Sequence, residues 1–414
     1  MSSQGVLNIA IVGGGAAGFF AAWSVKESYP QYNVTIIEKK RYPLSKVKIS
    51  GGGRCNLTNG CHSEQTWKKA YPRGYNLLKR HLNYFGAEQT MEWFQRQGVA
   101  LVIQADNCVF PKSQDSHSIV SALIKRANRD GVHILTNTKV VDAISSADTV
   151  VLTLQNKDGD ISCQTFDKVI VTTGGAPKQE QLDWLQKLGH KIVPSVPSLY
   201  SFNISDNTNL KSLMGIVIDD AIVSIEGLNK YSSQGALLIT HWGLSGPAIL
   251  KLSSYAAREI YQANFKFNLR VNWCGRSNFD DICEELESLF ITNANKAISN
   301  IKLNNLFSRV WEYLLFRSSI SSTKKCKEVG KKEIFKLATT LTNDIYQVNG
   351  KGEFKDEFVT CGGICNSNID LSTLRSKICP NIYFAGEVLD IDAITGGFNL
   401  QAAWTTGYVA GKLK

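Results

Sequence analysis

Nowhere in these 414 residues does an apolar run approach the uninterrupted length of a membrane helix, so no membrane partner is expected. The ten cysteines stand at irregular spacings without paired CxxC motifs, which suggests neither a zinc site nor a disulfide framework. No metal is expected, and a reducing cytoplasm is the expected location. The apolar stretches near the start are broken by glycines, so no signal peptide is expected either. Charged residues make up only 20% against 43% hydrophobic, a globular composition, and the length calls for two or three domains. The net charge of +10 is spread along the chain, except for a cluster at Lys324, Lys325, Lys327, Lys331, Lys332 and Lys336. Such a cluster is ordinarily a solvated helical face; a surface for nucleic acid or an acidic partner is the sharper reading.

What is present is most informative between Asn8 and Lys39. An apolar run (Ile9, Ala10, Ile11, Val12) enters Gly13, Gly15 and Gly18, helical density follows from Phe19 to Val25, and a second run, Val34 to Ile37, ends in Glu38. Strand, glycine turn, helix, strand and acid form the dinucleotide fingerprint in its required context. Gly13 permits the tight turn, Gly15 lets backbone approach a pyrophosphate, and Gly18 lets helix and strand pack closely. The helix start directs free N–H groups and a positive dipole end at phosphates. Glu38 suits the two hydroxyls of an adenosine ribose and disfavours a 2′-phosphate, which selects FAD or NAD over NADP at this site.

Three further segments carry backbone chemistry. Lys46 to Gly60 holds three consecutive glycines followed by Arg54, Cys55 and Asn56, a loop able to lie against an anionic or flat ligand. Asp167 to Pro177 reads as a buried strand ending on Gly174 and Gly175. Ile382 to Ala385 reads as a strand entering Gly386 and Glu387, with Gly396 and Gly397 before a closing helix. Tyr75 to Gly98 has one helical pattern. Around Pro194 and Pro197 the pattern changes to short β runs, and Phe279 to Leu341 is mostly helical. That block contains no second dinucleotide fingerprint.

The chain resembles the BaiN/YhiN-like, or aminoacetone oxidase-type, family of FAD-binding oxidoreductases over essentially its whole length. The motifs that carry the resemblance are SGGGRCNLTN at Ser50 to Asn59, THWGLSGPAIL at Thr240 to Leu250 and GEVLDIDAITGGFNLQAAW at Gly386 to Trp404. It implies an α/β fold: a doubly wound, Rossmann-like FAD domain resembling that of glutathione reductase, built from 1–195 and 344–414. An insert would separate its parts, β-barrel-like over 196–275 and helical over 276–343. By motif, Gly13, Gly15, Ala16, Ala17 and Gly18 would hold the FAD pyrophosphate, and Glu38 and Lys39 the adenosine ribose region. Gly53, Arg54, Cys55 and Asn56 would lie along the diphosphate and flavin. Val140 would offer backbone to adenine, while Thr173 and Gly174 close the nucleotide pocket. Gly386 and Glu387 would contact the ribityl and phosphate portion, and Asp392, Asn399 and Leu400 would reach the flavin end. Ala393 stands where the family usually has glycine, and Phe398 where it usually has tyrosine.

The expected activity is hydride transfer between NADH or NADPH and a small organic substrate by way of flavin N5, the nicotinamide being a transient co-substrate. The alternatives are a flavoenzyme acting on RNA, in tRNA modification, and a non-catalytic FAD-binding protein. No catalytic acid or base is nominated. Cys55 is read as a buried small residue rather than a redox thiol, and His241 as structural rather than lining a substrate cleft.

Overall fold

The computed structural model describes residues 5–204, 208–228, 230–276, 278–303, 306–352 and 359–414. Contacts divide the chain into one unit of Met1–Pro197 with Lys355–Lys414 and a second of Ser198–Phe354.

The first unit is built on five parallel strands. These are β1 (Asn8–Val12), β2 (Asn33–Ile37), β3 (His133–Leu135), β4 (Lys168–Val171) and β5 (Ile382–Phe384), in the order β5-β4-β1-β2-β3. All four pairings are parallel. β5 comes from the far end of the sequence, so the sheet is completed only after the second unit has been traversed. An antiparallel meander, Thr138–Ser145, Val150–Asn156 and Ile161–Phe166, accompanies it. Helix α1 (Ala16–Ser28) buries every residue from Ala17 to Val25, so it is apolar all round because it is enclosed all round. Its neighbour is the terminal helix, Phe398–Ala410. A Cβ on Gly407 would lie 2.5 Å from the Ala17 carbonyl oxygen, so this contact is backbone on backbone. Phe20 meets Trp404 and Trp93 at ring separations of 4.7 and 4.8 Å in the core beside it.

The helical pattern from Tyr75 to Gly98 divides into two helices, Tyr75–Leu82 and Ala87–Arg96. The break falls at Gly86, where a Cβ would stand 2.5 Å from the Leu82 carbonyl oxygen.

The second unit carries a seven-stranded antiparallel sheet. Asp344–Val348 pairs with Phe267–Asn272 at one edge, and Gly350–Lys351 pairs with Phe202–Asn203 at the other. Only Asn349 separates these two strands, so one stretch of chain borders both edges and closes the sheet on itself. Residues 344–348 and 350–351 thus have their backbone groups paired within this sheet. Three helices, Phe279–Thr292, Ser308–Arg317 and Lys331–Thr342, stand in sequence between the strands Phe267–Asn272 and Asp344–Val348. A buried polar network lies within this unit. Asp344 accepts from Trp273 Nε1 (3.2 Å), the Tyr346 hydroxyl (2.5 Å) and the Arg317 guanidinium. Among the described residues no helix is long and apolar enough to cross a membrane.

Candidate functional site

The C-terminal ends of β1, β4 and β5 bring three glycine turns together. Gly13 (φ +117°) lies against β4 so closely that a Cβ would be 2.4 Å from the Thr172 carbonyl oxygen. The Thr172 hydroxyl donates to the Gly13 carbonyl at 2.8 Å and fixes the turn. A Cβ on Gly18 would fall 2.0 Å from the Gly13 carbonyl, so this glycine is what allows helix and strand to meet. Gly15 differs, since nothing stands within 4 Å of a Cβ built on it. The turn is packed at Gly13 and Gly18 and open at Gly15, as a phosphate cradle requires.

Glu38, at the end of β2, accepts from the Gly14 N–H (2.8 Å) and the Lys40 N–H (2.8 Å). The Thr138 N–H donates to the Glu38 carbonyl at 3.0 Å, which brings the first meander strand, with Val140 two residues on, beside the end of β2. Lys39 is exposed; desolvation lowers its pKa despite the pull of Glu38.

Thr173 is exposed and Gly174 has φ +75°, both directly after β4. Glu387 lies over this turn. Its carboxylate accepts from the Thr360 N–H (2.9 Å) and pairs with Lys46 (3.0 Å), and a Cβ on Gly175 would collide with it. Gly386 packs on α1, where a Cβ would come 2.9 Å from that of Ala17. Ala16, Ala17, Gly174, Gly386 and Glu387 thus share one edge of the sheet with the first glycine turn.

The Ser50 to Asn56 loop joins the terminal motif. Gly52 and Gly53, both at positive φ, have open space where a side chain would be. Arg54 lies over the Phe110 ring at 4.4 Å. With its amide oxygen and nitrogen exchanged, Asn56 would accept from the Gly397 N–H (3.2 Å) and donate to the Thr58 carbonyl (3.1 Å). Asn59 Nδ2 donates to the Gly396 carbonyl at 3.0 Å. The Asn399 amide spans both backbone groups of Ala393 at 2.9 Å, and Leu400 is half-buried in the first turn of the terminal helix.

Two side chains in this group face inward. Cys55 is fully buried and burial pushes its thiol up to about 12, so it is a packing residue. The Asp392 carboxylate is also fully buried and faces Arg73, so it is not itself presented to a ligand. Sequence reasoning missed Arg73, Tyr71 and Gln401. The Tyr71 hydroxyl donates to the Phe398 carbonyl (2.9 Å), and the Gln401 amide meets the Thr58 hydroxyl (2.6 Å). Gln401 lies within the Gly386 to Trp404 motif, whereas Tyr71 and Arg73 carry no local signal. His241 belongs to the second unit, exposed and edge-on to Trp242 at 4.3 Å.

The residues present fit FAD. Two helix N-termini, of α1 and of the terminal helix, carry neither a capping side chain nor an acid in the first turn among the described residues. Helix starts without side-chain caps leave N–H groups for an anion or an electron-rich edge. Gly15, Gly52 and Gly53 supply the space. Among the described residues no group of three or more His, Cys, Asp or Glu is placed to hold a metal ion.

Comparison with known proteins gives consistent results. The family model described as HI0933-like protein Rossmann domain matches residues 7–413. The chain is 27% identical to the 3-dehydro-bile acid delta(4,6)-reductase of Clostridium scindens, covering 98% of both proteins. It is 24% identical to the ribosomal RNA dihydrouridine synthase of Escherichia coli, covering 96% of this chain and 95% of that one. Among solved structures, Escherichia coli quinol fumarate reductase FrdA superposes with a TM-score of 0.52 at 13% identity, covering 99% of this chain and 69% of that one. This last likeness is one of fold.

Proposed function

Because the chain belongs to the HI0933-like family of FAD-binding Rossmann oxidoreductases, we propose that it is a reductase of carbon–carbon double bonds conjugated to a carbonyl. Its electrons would come from NADH or NADPH, and its substrate would be a small, largely apolar organic molecule. The observation that carries the cofactor part is the convergence of the Gly13–Gly18 turn, the Gly52–Gly53 loop and the uncapped terminal helix in one unit. FAD bound there supplies two-electron chemistry, accepting hydride from one partner and delivering it to another.

The chain's own residues divide the work. Gly13 to Gly18 and the start of α1 would hold the pyrophosphate, and Glu38 the adenosine ribose. The first N–H groups of the terminal helix would stabilise negative charge at the flavin edge. The substrate class is supported by the names of the two relatives. The Δ4,6 double bonds of a 3-dehydro-bile acid and the uracil double bond absent from dihydrouridine are both conjugated to a carbonyl, and a hydride plus a proton would saturate such a bond.

RNA is the second reading, favoured by the net charge of +10 and by the exposure of Lys325, Lys327, Lys331, Lys332 and Lys336. Lys324 is held by Glu333 at 2.7 Å and is not free for such a role. Binding to phosphates would weaken steeply with salt.

The test is to purify the protein, record its flavin spectrum, and follow bleaching with NADH and NADPH without oxygen. Reoxidation is then measured with conjugated enones and with a uridine-containing transcript. A protein that takes up no FAD would refute the cofactor reading. Bleaching by dithionite but by neither nicotinamide would refute the electron source. Reoxidation by the transcript alone would replace the small substrate with RNA.

A further inference from the structure

We propose that Arg73 is a positioning residue that sets the loop before the terminal helix, Ile391 to Gly397, in its flavin-binding geometry. The proposal deepens the FAD reading above and rests on it.

Asp392 is fully buried, and Arg73 is 16% exposed at the side chain. Both guanidinium nitrogens Nε and Nη2 donate to the two carboxylate oxygens, a fork that fixes direction as well as distance. A lysine would supply the charge but only a point contact. The same short segment also touches the loop in three other ways and the start of the terminal helix in one. Arg73 and Asp392 form an antiparallel bridge through backbone. The Ile394 N–H donates to the Ala70 carbonyl at 2.9 Å. Gly74 (φ +81°) lies so near Ile391 that a Cβ would be 2.5 Å from its Cγ1. Tyr71 reaches the Phe398 carbonyl at the first turn of the terminal helix.

The loop needs such a brace. It holds Gly396 and Gly397 at φ +121° and +89°, conformations that impose little order by themselves. It leads straight into the N–H groups assigned to the flavin edge, so an error in its position is passed to them. A buried ion pair is weak evidence for stability, because an apolar pair of similar volume often serves as well. Its directional fork is what an apolar pair lacks.

This separates positioning from packing by experiment. R73K, R73M and the double variant R73M/D392L are made in the full chain. Urea unfolding of the apoprotein, FAD affinity by fluorescence titration, and the flavin midpoint potential are measured for each. R73M is expected to weaken FAD binding at least tenfold and R73K severalfold, each with a displaced midpoint potential. The double variant leaves no charge buried, so apoprotein stability should return toward that of the unchanged protein while FAD affinity and potential do not. If R73M does not fold, R73K and the double variant carry the same comparison. FAD affinity within twofold and an unchanged potential in R73K and R73M, or full recovery of both in the double variant, would overturn the proposal. If the unchanged protein itself takes up no FAD, the cofactor reading falls first and this proposal with it.

Discussion

Gly15→Ala separates a glycine kept for a ligand from glycines kept for packing. Gly15 caps α1 at φ −93° and ψ −168°, backbone that alanine adopts without strain, and a Cβ there meets nothing within 4 Å. Two small effects on the apoprotein oppose each other. Loss of unfolded-state freedom stabilises by about 0.4–1 kcal/mol, while alanine caps a helix less well than glycine by up to about 1 kcal/mol. Apoprotein stability should therefore stay within about 1 kcal/mol of the unchanged protein. With the pyrophosphate in place, the added methyl enters occupied space. An extra methyl in a filled site costs about 1–3 kcal/mol. At ~1.4 kcal/mol per factor of ten, FAD affinity should fall roughly 5- to 150-fold. Gly18→Ala is the control, because its Cβ would sit 2.0 Å from the Gly13 carbonyl and 2.9 Å from the Thr172 hydroxyl. It should destabilise the apoprotein by up to about 2 kcal/mol, the upper end of the ~1–3 kcal/mol overpacking cost less a helix-propensity gain of about 1 kcal/mol. Urea unfolding and FAD titration of both variants provide the assay. The reasoning is refuted if Gly15→Ala binds FAD within twofold of the unchanged protein, or if it loses apoprotein stability as Gly18→Ala does.

Asp344→Ala removes the acceptor shared by Arg317, Tyr346 and Trp273, and should destabilise the second unit by about 2–4 kcal/mol, discounted because Arg317 is partly exposed; an unfolding midpoint unchanged in urea would contradict this. Burial holds the pKa of His190 below its ordinary value near 6.5, opposed by its hydrogen bond to the Leu185 carbonyl, and burial lowers His81 likewise. The unfolded chain then binds more protons than the folded one below about pH 6.5, so their contribution is complete above that pH and falls as the solution is acidified. His190→Gln should flatten part of the decline in unfolding free energy between pH 6.5 and about 5, which urea titrations at each pH would detect. Cys55, fully buried with its thiol pushed up to about 12, should resist iodoacetamide in the native protein and react only after unfolding; rapid native labelling would return it to the list of redox candidates.

Residues 8–38 were legible because every interaction that defines them is local or between adjacent strands. Gly13, Gly15, Gly18 and Glu38 each carry a backbone or charge requirement that a short window displays, and the structure separates those requirements into packed and open positions. The motif resemblance likewise pointed to Gly386 and Asn399. Arg73 was not legible, since an arginine in YPRGY has no local signal and its partner stands 319 residues away. The break at Gly86 was hidden because apolar spacing continues across it. The strand at Asp344–Val348 was not read from the sequence, because a short run does not say which sheet will receive it.

By itself the sequence determined that a dinucleotide fingerprint lies between Asn8 and Glu38, that a stretch of different pattern follows, and that no apolar run is long enough for a membrane helix. Those are consequences of residue type and spacing, which act over a turn or a strand. Only the tertiary structure decided that β5 completes the first sheet, that residues 344–351 close the barrel, and that Arg73 braces the loop beyond Asp392. Each of these joins backbone or charge far apart along the chain. Such joins are settled by which buried polar groups find partners once the core has formed.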